Sequence, residues 1–140
     1  MIRIVCAAAA ALTLFAPPAV ARNGGHAATL TFETGASSGR VLVALYDSEA
    51  AWRAGRPVAR AALDATAPVV AVFRDLPAGD YAVKAFHDID GDGEMDVNPF
   101  GMPVEPYAFS NNAVGNMGPA GWDQARFAVS GDVAQTIRIR

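Results

Sequence analysis

The sequence has 140 residues, a formal net charge of −3 and one cysteine, Cys6. Its 11 basic residues are scattered and outnumbered by 14 acidic ones, so the chain lacks the basic face that nucleic-acid binding requires. A single cysteine excludes an internal disulfide and a zinc site built from cysteines.

The first 21 residues have the features of a secretory signal peptide. Arg3 precedes an apolar run over residues 4–16, and Ala19-Val20-Ala21 is a small-x-small cleavage signature. An uncleaved membrane anchor is the alternative, but the run is short for a membrane span and two prolines follow it. We therefore expect cleavage after Ala21 and a periplasmic or secreted protein with no membrane span after cleavage.

Residues 22–140 are long enough to form one domain with its own core, and their pattern is that of strands. Residues 28–33 alternate strictly between apolar and polar, which predicts a half-buried strand. After a turn at residues 35–39, residues 40–46 are apolar on both faces, which predicts a central strand. The turn between these strands predicts that they pair as a hairpin.

A short helical turn is predicted next, because Asp47 or Ser48 can cap it and Gly55 can end it. Further strand patterns lie at residues 57–63, 69–73, 81–87, 124–129 and 133–139. The last two flank a Ser130-Gly131-Asp132 turn, which predicts a second hairpin.

About seven regularly spaced strands favour an all-β fold. We expect an antiparallel β-sandwich of Greek-key or prealbumin-like type. Residues 88–122 have no periodicity and are rich in glycine and proline, which predicts one long irregular loop. Loops of this length are usually functional, ordered by a ligand, or disordered.

Residues 88–96, which we call the acidic loop, are the main candidate site. Five acidic side chains fall within these nine positions. Asp88, Asp90, Asp92 and Gly93 match positions 1, 3, 5 and 6 of the D-x-[DN]-x-[DN]-G pattern, in which alternate carboxylates converge on a hard cation. Carboxylates ~5 Å apart repel by about 3 kcal/mol per pair at an effective dielectric of 20, and a divalent cation among them reverses that sign.

The predicted ion is Ca²⁺, bound weakly. Position 12 of the pattern is Pro99 instead of a bidentate glutamate, and a strand enters the loop, so the site is not an EF-hand. Glu105 is the candidate for a carboxylate that returns to the loop, while Asn98 and Asn111 are weaker candidates. The predicted metal ligands are Asp88, Asp90, Asp92, the Glu94 carbonyl, Asp96 and Glu105. With an incomplete set we expect a Kd on the order of 10⁻⁴ to 10⁻³ M.

The alternative is an empty, solvated turn in which the aspartates accept hydrogen bonds from their own backbone. Magnesium fits less well than calcium, because it binds few protein ligands and keeps its waters.

Three successive segments carry a family resemblance. They are residues 76–83 (Leu-Pro-Ala-Gly-Asp-Tyr-Ala-Val), residues 86–96 (Phe-His-Asp-Ile-Asp-Gly-Asp-Gly-Glu-Met-Asp) and residues 98–113, which begin Asn-Pro-Phe-Gly-Met-Pro. Together they resemble the bacterial exported proteins grouped as domain of unknown function 2141. That family's closing Pro-x-x-Phe-x-x-Ala-x-Phe-like pattern is approximated by Pro119, Trp122, Ala125 and Phe127, with Trp in place of Phe. The resemblance implies a small β-sandwich in the periplasm or outside the cell, and it implies no activity.

Aromatic residues in the long loop suggest a second hypothesis. Tyr107, Phe109 and Trp122, together with Phe100, are candidates for a platform that binds a sugar or a peptide. The chain would then be a calcium-dependent carbohydrate- or peptide-binding module. The competing interpretation is a small core that packs the loop onto the sandwich, since large aromatic side chains are usually buried.

Catalysis is not expected. The G-x-S-x-G pattern around Ser37 joins strand to strand, whereas a nucleophile elbow joins strand to helix. The crowded carboxylates occupy a hydrophilic turn, which does not separate two pKa values as a glycosidase requires. His87 is expected to orient the loop by hydrogen bonding, because no nucleophile is near it in the sequence. We therefore expect a structural or envelope-associated role.

Overall fold

The chain forms an all-β sandwich, as the sequence predicts. The computed structural model describes residues 24–66 and 68–140, so the predicted signal peptide at residues 1–21 lies outside the described residues. The strands are β1 (His26–Glu33), β2 (Arg40–Tyr46), β3 (Ala59–Asp64), β4 (Val69–Leu76), β5 (Gly79–Asp88), β6 (Tyr107–Phe109), β7 (Phe127–Val129) and β8 (Val133–Arg138). The helices are α1 (Glu49–Ala54), α2 (Trp122–Ala125) and a 3-10 turn, η1 (Ser110–Asn112).

The strands lie in two sheets. The small sheet has the order β4-β1-β8, in which β1 is antiparallel to β4 and parallel to β8. The large sheet has the order β3-β2-β5-β6, and β7 also pairs with β5. Every pair in the large sheet is antiparallel.

Both predicted hairpins are wrong. β1 and β2 lie in different sheets, so the turn at residues 35–39 carries the chain across the sandwich. The turn after β7 does the same, because β7 pairs with β5 while β8 pairs with β1. A short polar turn fits either route. The choice comes from β2, which is apolar on both faces and therefore takes a central position in the large sheet, between β3 and β5.

The main core lies between the sheets. On β5 the alternate residues Tyr81, Val83, Ala85 and His87 are all at most 5% exposed, as the alternation predicts. Fully buried Leu30 of β1 packs into the same cluster from the small sheet. Burial of one face of each sheet is the main source of stability in such a fold.

A second apolar cluster covers the outer face of the large sheet. The predicted helical turn is α1, capped by the Ser48 hydroxyl, which accepts a hydrogen bond from Ala51 N, and ended by Gly55 at φ 65°. Helix α1 brings Trp52 over β5, where Lys84 Nζ donates to the Trp52 carbonyl oxygen at 3.0 Å. The buried members of the cluster are Tyr46, Trp52, Ala82, Phe109, Ala120 and Ala125.

The segment 88–122 is more ordered than predicted, because it contains β6 and η1 and the first residue of α2. Along one edge of β5, β7 pairs with residues 79–81 and β6 pairs with residues 84–86. The Ser110 hydroxyl fills the gap between them. It accepts a hydrogen bond from Val83 N at 2.8 Å and donates to the Ala125 carbonyl oxygen at 2.6 Å.

Replacing Ser110 with alanine will destabilise the fold. The hydroxyl is fully buried, so its removal leaves the Val83 amide and the Ala125 carbonyl without these partners. We expect a loss of about 1–3 kcal/mol per unsatisfied group in the free energy of unfolding, measured by urea denaturation. The control is Ser130→Ala in the exposed turn after β7, and equal midpoints for the two variants would contradict this role of Ser110.

Candidate functional site

The acidic loop begins inside the fold. Asp88 is the last residue of β5 and has 0% exposure. Its Oδ1 accepts a hydrogen bond from Gly91 N at 2.8 Å, and its Oδ2 accepts one from Gly93 N at 3.1 Å. The loop therefore wraps around the carboxylate of its own first residue.

The next two aspartates build the turns of the loop. Asp90 Oδ1 accepts from Asp92 N at 3.2 Å, and Asp92 Oδ1 accepts from Glu94 N at 2.8 Å. Gly91 and Gly93 have φ values of 82° and 86°, in the left-handed region that glycine enters without steric cost. The spacing of aspartates and glycines thus reflects local turn chemistry.

Glu105 returns to this loop, as the sequence predicts. Its side chain is 7% exposed, and its two oxygens accept hydrogen bonds from opposite ends of the loop. Oε1 accepts from Ile89 N at 2.8 Å, and Oε2 accepts from Asp96 N at 3.2 Å. Residues 96–105, which we call the apolar hairpin, bring it back through a bridge between Val97 and Pro103.

The carboxylates converge in two overlapping groups. One oxygen each from Asp88, Asp90 and Glu105 lie within 4.8 Å of one another, and so do oxygens from Asp90, Asp92 and Asp96. Asp88 and Glu105 are buried, whereas the other three are exposed. Asp90 belongs to both groups, so all five predicted carboxylate ligands form one continuous acidic cluster.

The electrostatics of the loop differ between its two ends. Burial opposes ionisation of Asp88, but hydrogen bonds from Gly91 and Gly93 and the nearby Arg40 outweigh it and lower the pKa of that carboxyl. Desolvation raises the pKa of Asp96, and the charges of Asp90 and the other loop carboxylates raise it further. The loop therefore holds more negative charge than its own donors compensate.

Arg40 is the residue that sequence reasoning missed. It lies opposite Asp88 in the β2–β5 register, and its Nη2 donates to Asp88 Oδ2 at 3.3 Å and to the Gly91 carbonyl oxygen at 3.0 Å. The signal is a lone arginine that opens an apolar strand. It becomes informative only when β2 is known to pair with β5 instead of β1.

The turn at residues 35–39 packs against the start of the loop. His87 Nε2 lies 2.6 Å from the Ser38 carbonyl oxygen, so the ring nitrogen is the donor. A Cβ on Gly39, which has φ 76°, would lie 2.2 Å from the Asp88 carbonyl oxygen. His87 thus contacts the turn that supports the loop, and only glycine fits at this approach.

The weaker ligand candidates are engaged elsewhere. Asn98 Oδ1 accepts hydrogen bonds from Phe100 N and Met102 N inside the apolar hairpin. Asn111 Nδ2 donates to the carbonyl oxygens of Gln124 and Arg126. Glu94 is exposed, and its predicted contribution is its backbone carbonyl.

The aromatic candidates do not present one open face. Phe109 is 7% exposed and lies 5.8 Å, between ring centroids, from Trp52. Trp122 is half-buried and packs on the same cluster. Tyr107 is 38% exposed and borders a cavity of about 110 Å³, which is small beside the roughly 300–1,000 Å³ of typical ligand pockets.

Replacing Glu105 with glutamine will destabilise the protein in the absence of calcium. The amide keeps one acceptor, so either Ile89 N or Asp96 N then faces an NH₂ group. We expect a loss of about 1–3 kcal/mol in the free energy of unfolding, measured by urea denaturation in a chelator. Glu94→Gln makes the same charge change at an exposed side chain and serves as the control. Equal midpoints for the two variants would show that Glu105 does not hold the loop.

Replacing Asp96 with asparagine will stabilise the calcium-free protein at neutral pH. The raised pKa means that ionising Asp96 costs more in the folded state than in the unfolded state. That cost is absent below the ordinary value of 3.8 and grows as the pH rises through 3.8 towards the raised pKa. We expect a higher melting temperature than wild type at about pH 7 and no difference at about pH 3, by calorimetry in a chelator.

The control for Asp96 is Asp123→Asn in α2, whose side chain is 89% exposed. A gain of the same size in this variant would assign the effect to net charge, and an Asp96 gain that persists at low pH would contradict the titration argument.

The family model described as an uncharacterized protein conserved in bacteria (DUF2141) matches residues 33–138. The match confirms the resemblance drawn from the sequence motifs. No curated protein and no solved structure matches this chain. Among the described residues, no helix has the length and apolar character needed to cross a membrane.

Proposed function

Because the chain belongs to the DUF2141 family of uncharacterised bacterial proteins, we propose that it is an exported β-sandwich whose acidic loop is stabilised by a calcium ion. Its role in this proposal is structural or envelope-associated, without catalysis. Export rests on the signal-like first 21 residues, and calcium rests on the geometry of the loop.

One observation carries the calcium proposal. Oxygens of Asp88, Asp90 and Glu105 lie within 4.8 Å of one another, although Glu105 is far from the other two in sequence. Bringing a third carboxylate to two others costs Coulomb energy unless a positive charge lies among them. The fold makes this approach through a hairpin, and Glu105 is buried there.

Arg40 supplies only part of the compensating charge. Its guanidinium contacts Asp88 and the Gly91 carbonyl, but no ion pair between described residues involves Asp90, Asp92 or Asp96. A divalent ion near Asp90 would reduce the repulsion within both groups at once. Each group supplies three carboxylate oxygens, and water or the Glu94 carbonyl would complete the six to eight ligands of calcium, which accepts an irregular set of ligands better than magnesium does.

The carbohydrate- or peptide-binding module is the second candidate. Its support is limited to Tyr107 and the small cavity beside it, because Phe109 is buried and Trp122 is half-buried in the second cluster. The structural role therefore ranks first.

Calcium will raise the melting temperature of the protein. An ion at 100 times its Kd that binds only the folded state adds ~2.7 kcal/mol, which is several degrees for a domain of this size. The measurement is differential scanning calorimetry at about pH 7, in a chelator and in calcium up to tens of millimolar, with magnesium at matched ionic strength as the control.

Asp96→Asn separates an ion site from an empty turn. In a chelator it melts above wild type, and in calcium we expect the order to reverse, because the variant lacks a ligand. Asp123→Asn should follow wild type in both buffers. An unchanged melting temperature of the wild type at tens of millimolar calcium would contradict the proposal.

A further inference from the structure

The apolar hairpin is an exposed feature that the calcium proposal leaves unexplained. Residues 97–104 contain no charged side chain, although acidic residues stand on both sides of them. Phe100 at the tip is 87% exposed, and Val97, Met102 and Val104 are each more than half exposed. Exposed apolar groups of this kind mark interaction sites when they lie together.

The backbone N–H groups of residues 98–104 are not free to bond to an outside partner. Asn98 N donates to the Met102 carbonyl oxygen, and Gly101 N donates to the Asn98 carbonyl oxygen, each at 2.8 Å. Asn98 Oδ1 accepts from Phe100 N and Met102 N. Val104 N donates to the Asp96 carbonyl oxygen, and the other two residues of the tip are prolines, which have no N–H. Every backbone donor from residue 98 to residue 104 is therefore satisfied.

The lack of free N–H groups limits the kind of partner that can bind. A partner strand that pairs with the hairpin would need free N–H groups, and in hydrocarbon each N–H without a partner would cost several kcal/mol. A tip with apolar side chains and satisfied donors suits a lipid surface. We propose that the apolar hairpin inserts Phe100 and Met102 into the interface of an anionic lipid bilayer.

The negative charge next to the hairpin makes this binding depend on calcium. Asp90, Asp92, Glu94 and Asp96 are exposed beside the hairpin, so an anionic surface repels the calcium-free protein. Calcium in the acidic loop lowers this negative charge and can bridge loop carboxylates to lipid phosphates. The inference therefore rests on the proposed calcium site, and it adds the partner that an envelope-associated role requires.

Vesicle flotation tests this inference. The protein is residues 22–140, which contain every strand and helix described above, so that the apolar residues 4–16 contribute nothing. The vesicles are phosphatidylcholine with about one quarter phosphatidylglycerol, compared with phosphatidylcholine alone. We expect binding to the anionic vesicles at the calcium concentration that saturates the thermal shift, and little binding in a chelator or to the neutral vesicles.

Substitutions locate the contact. Phe100→Ser and Met102→Ser should each lower the partition coefficient, with a loss of about tenfold or more for Phe100. The matched control is Met117→Ser, because Met117 is fully exposed in a different loop, and its partition should equal that of wild type. The melting temperature of each variant, with and without calcium, should be unchanged, because these side chains are exposed.

The outcomes separate the two proposals. A calcium-dependent thermal shift without vesicle binding overturns the lipid inference, leaves the calcium site standing and points to a protein groove as the occupant. Binding that survives in a chelator, or that Phe100→Ser leaves unchanged, also overturns the inference. Absence of both the shift and the binding overturns the calcium site and the lipid inference together.

Discussion

Where the chain leaves the large sheet, at residues 88–122, its backbone amides need other hydrogen-bond acceptors. Side chains supply these acceptors. Asp88 accepts from two loop amides, and Glu105 accepts from two more at the ends of the same loop. Asn98 closes the apolar hairpin, and Ser110 completes the edge of β5. A buried amide without a partner costs about 1–3 kcal/mol, so this irregular segment depends on a few polar side chains in fixed places.

A side chain also satisfies backbone groups at the edge of the small sheet. Asn112 lies beside β8, where its Nδ2 donates to the Thr136 carbonyl oxygen and its Oδ1 accepts from Arg138 N. The side-chain amide thus takes the place of a peptide group in a neighbouring strand. An edge occupied in this way is less open to pairing with another chain. The φ of 51° at Asn112 belongs to the region that asparagine enters more readily than most residues.

The sequence predicted the features that depend on residues close together in the chain. It missed the features that depend on which strands pair. The residue pattern located seven of the eight described strands and the inward face of β5, but it missed β6 and began β7 at residue 124, which lies in α2. Turn chemistry gave Asp47 or Ser48 as the cap of α1 and identified the glycines of the acidic loop. Strand partners were wrong for β1 with β2 and for β7 with β8, because a short polar turn joins neighbours and crosses a sandwich equally well. Arg40 was missed for the same reason, since its place beside Asp88 follows from the register of β2 against β5. Glu105 was found because two prolines restrict the segment that returns it.

The acidic loop and the apolar hairpin share Asp96, and Glu105 at the other end of the hairpin is hydrogen-bonded to both ends of the loop, so the two segments are structurally coupled. Asp96 donates its amide to Glu105 Oε2, and its carbonyl accepts from Val104 N, so the base of the hairpin is fixed by two carboxylate-bearing residues of the candidate metal site. A cation bound among these carboxylates reduces the electrostatic repulsion at the base of the hairpin. The apolar core between the sheets is not affected by it. Ion binding is therefore expected to make the base of the hairpin more rigid and to reduce the repulsion between its carboxylates. The fold of the sandwich is expected to stay the same.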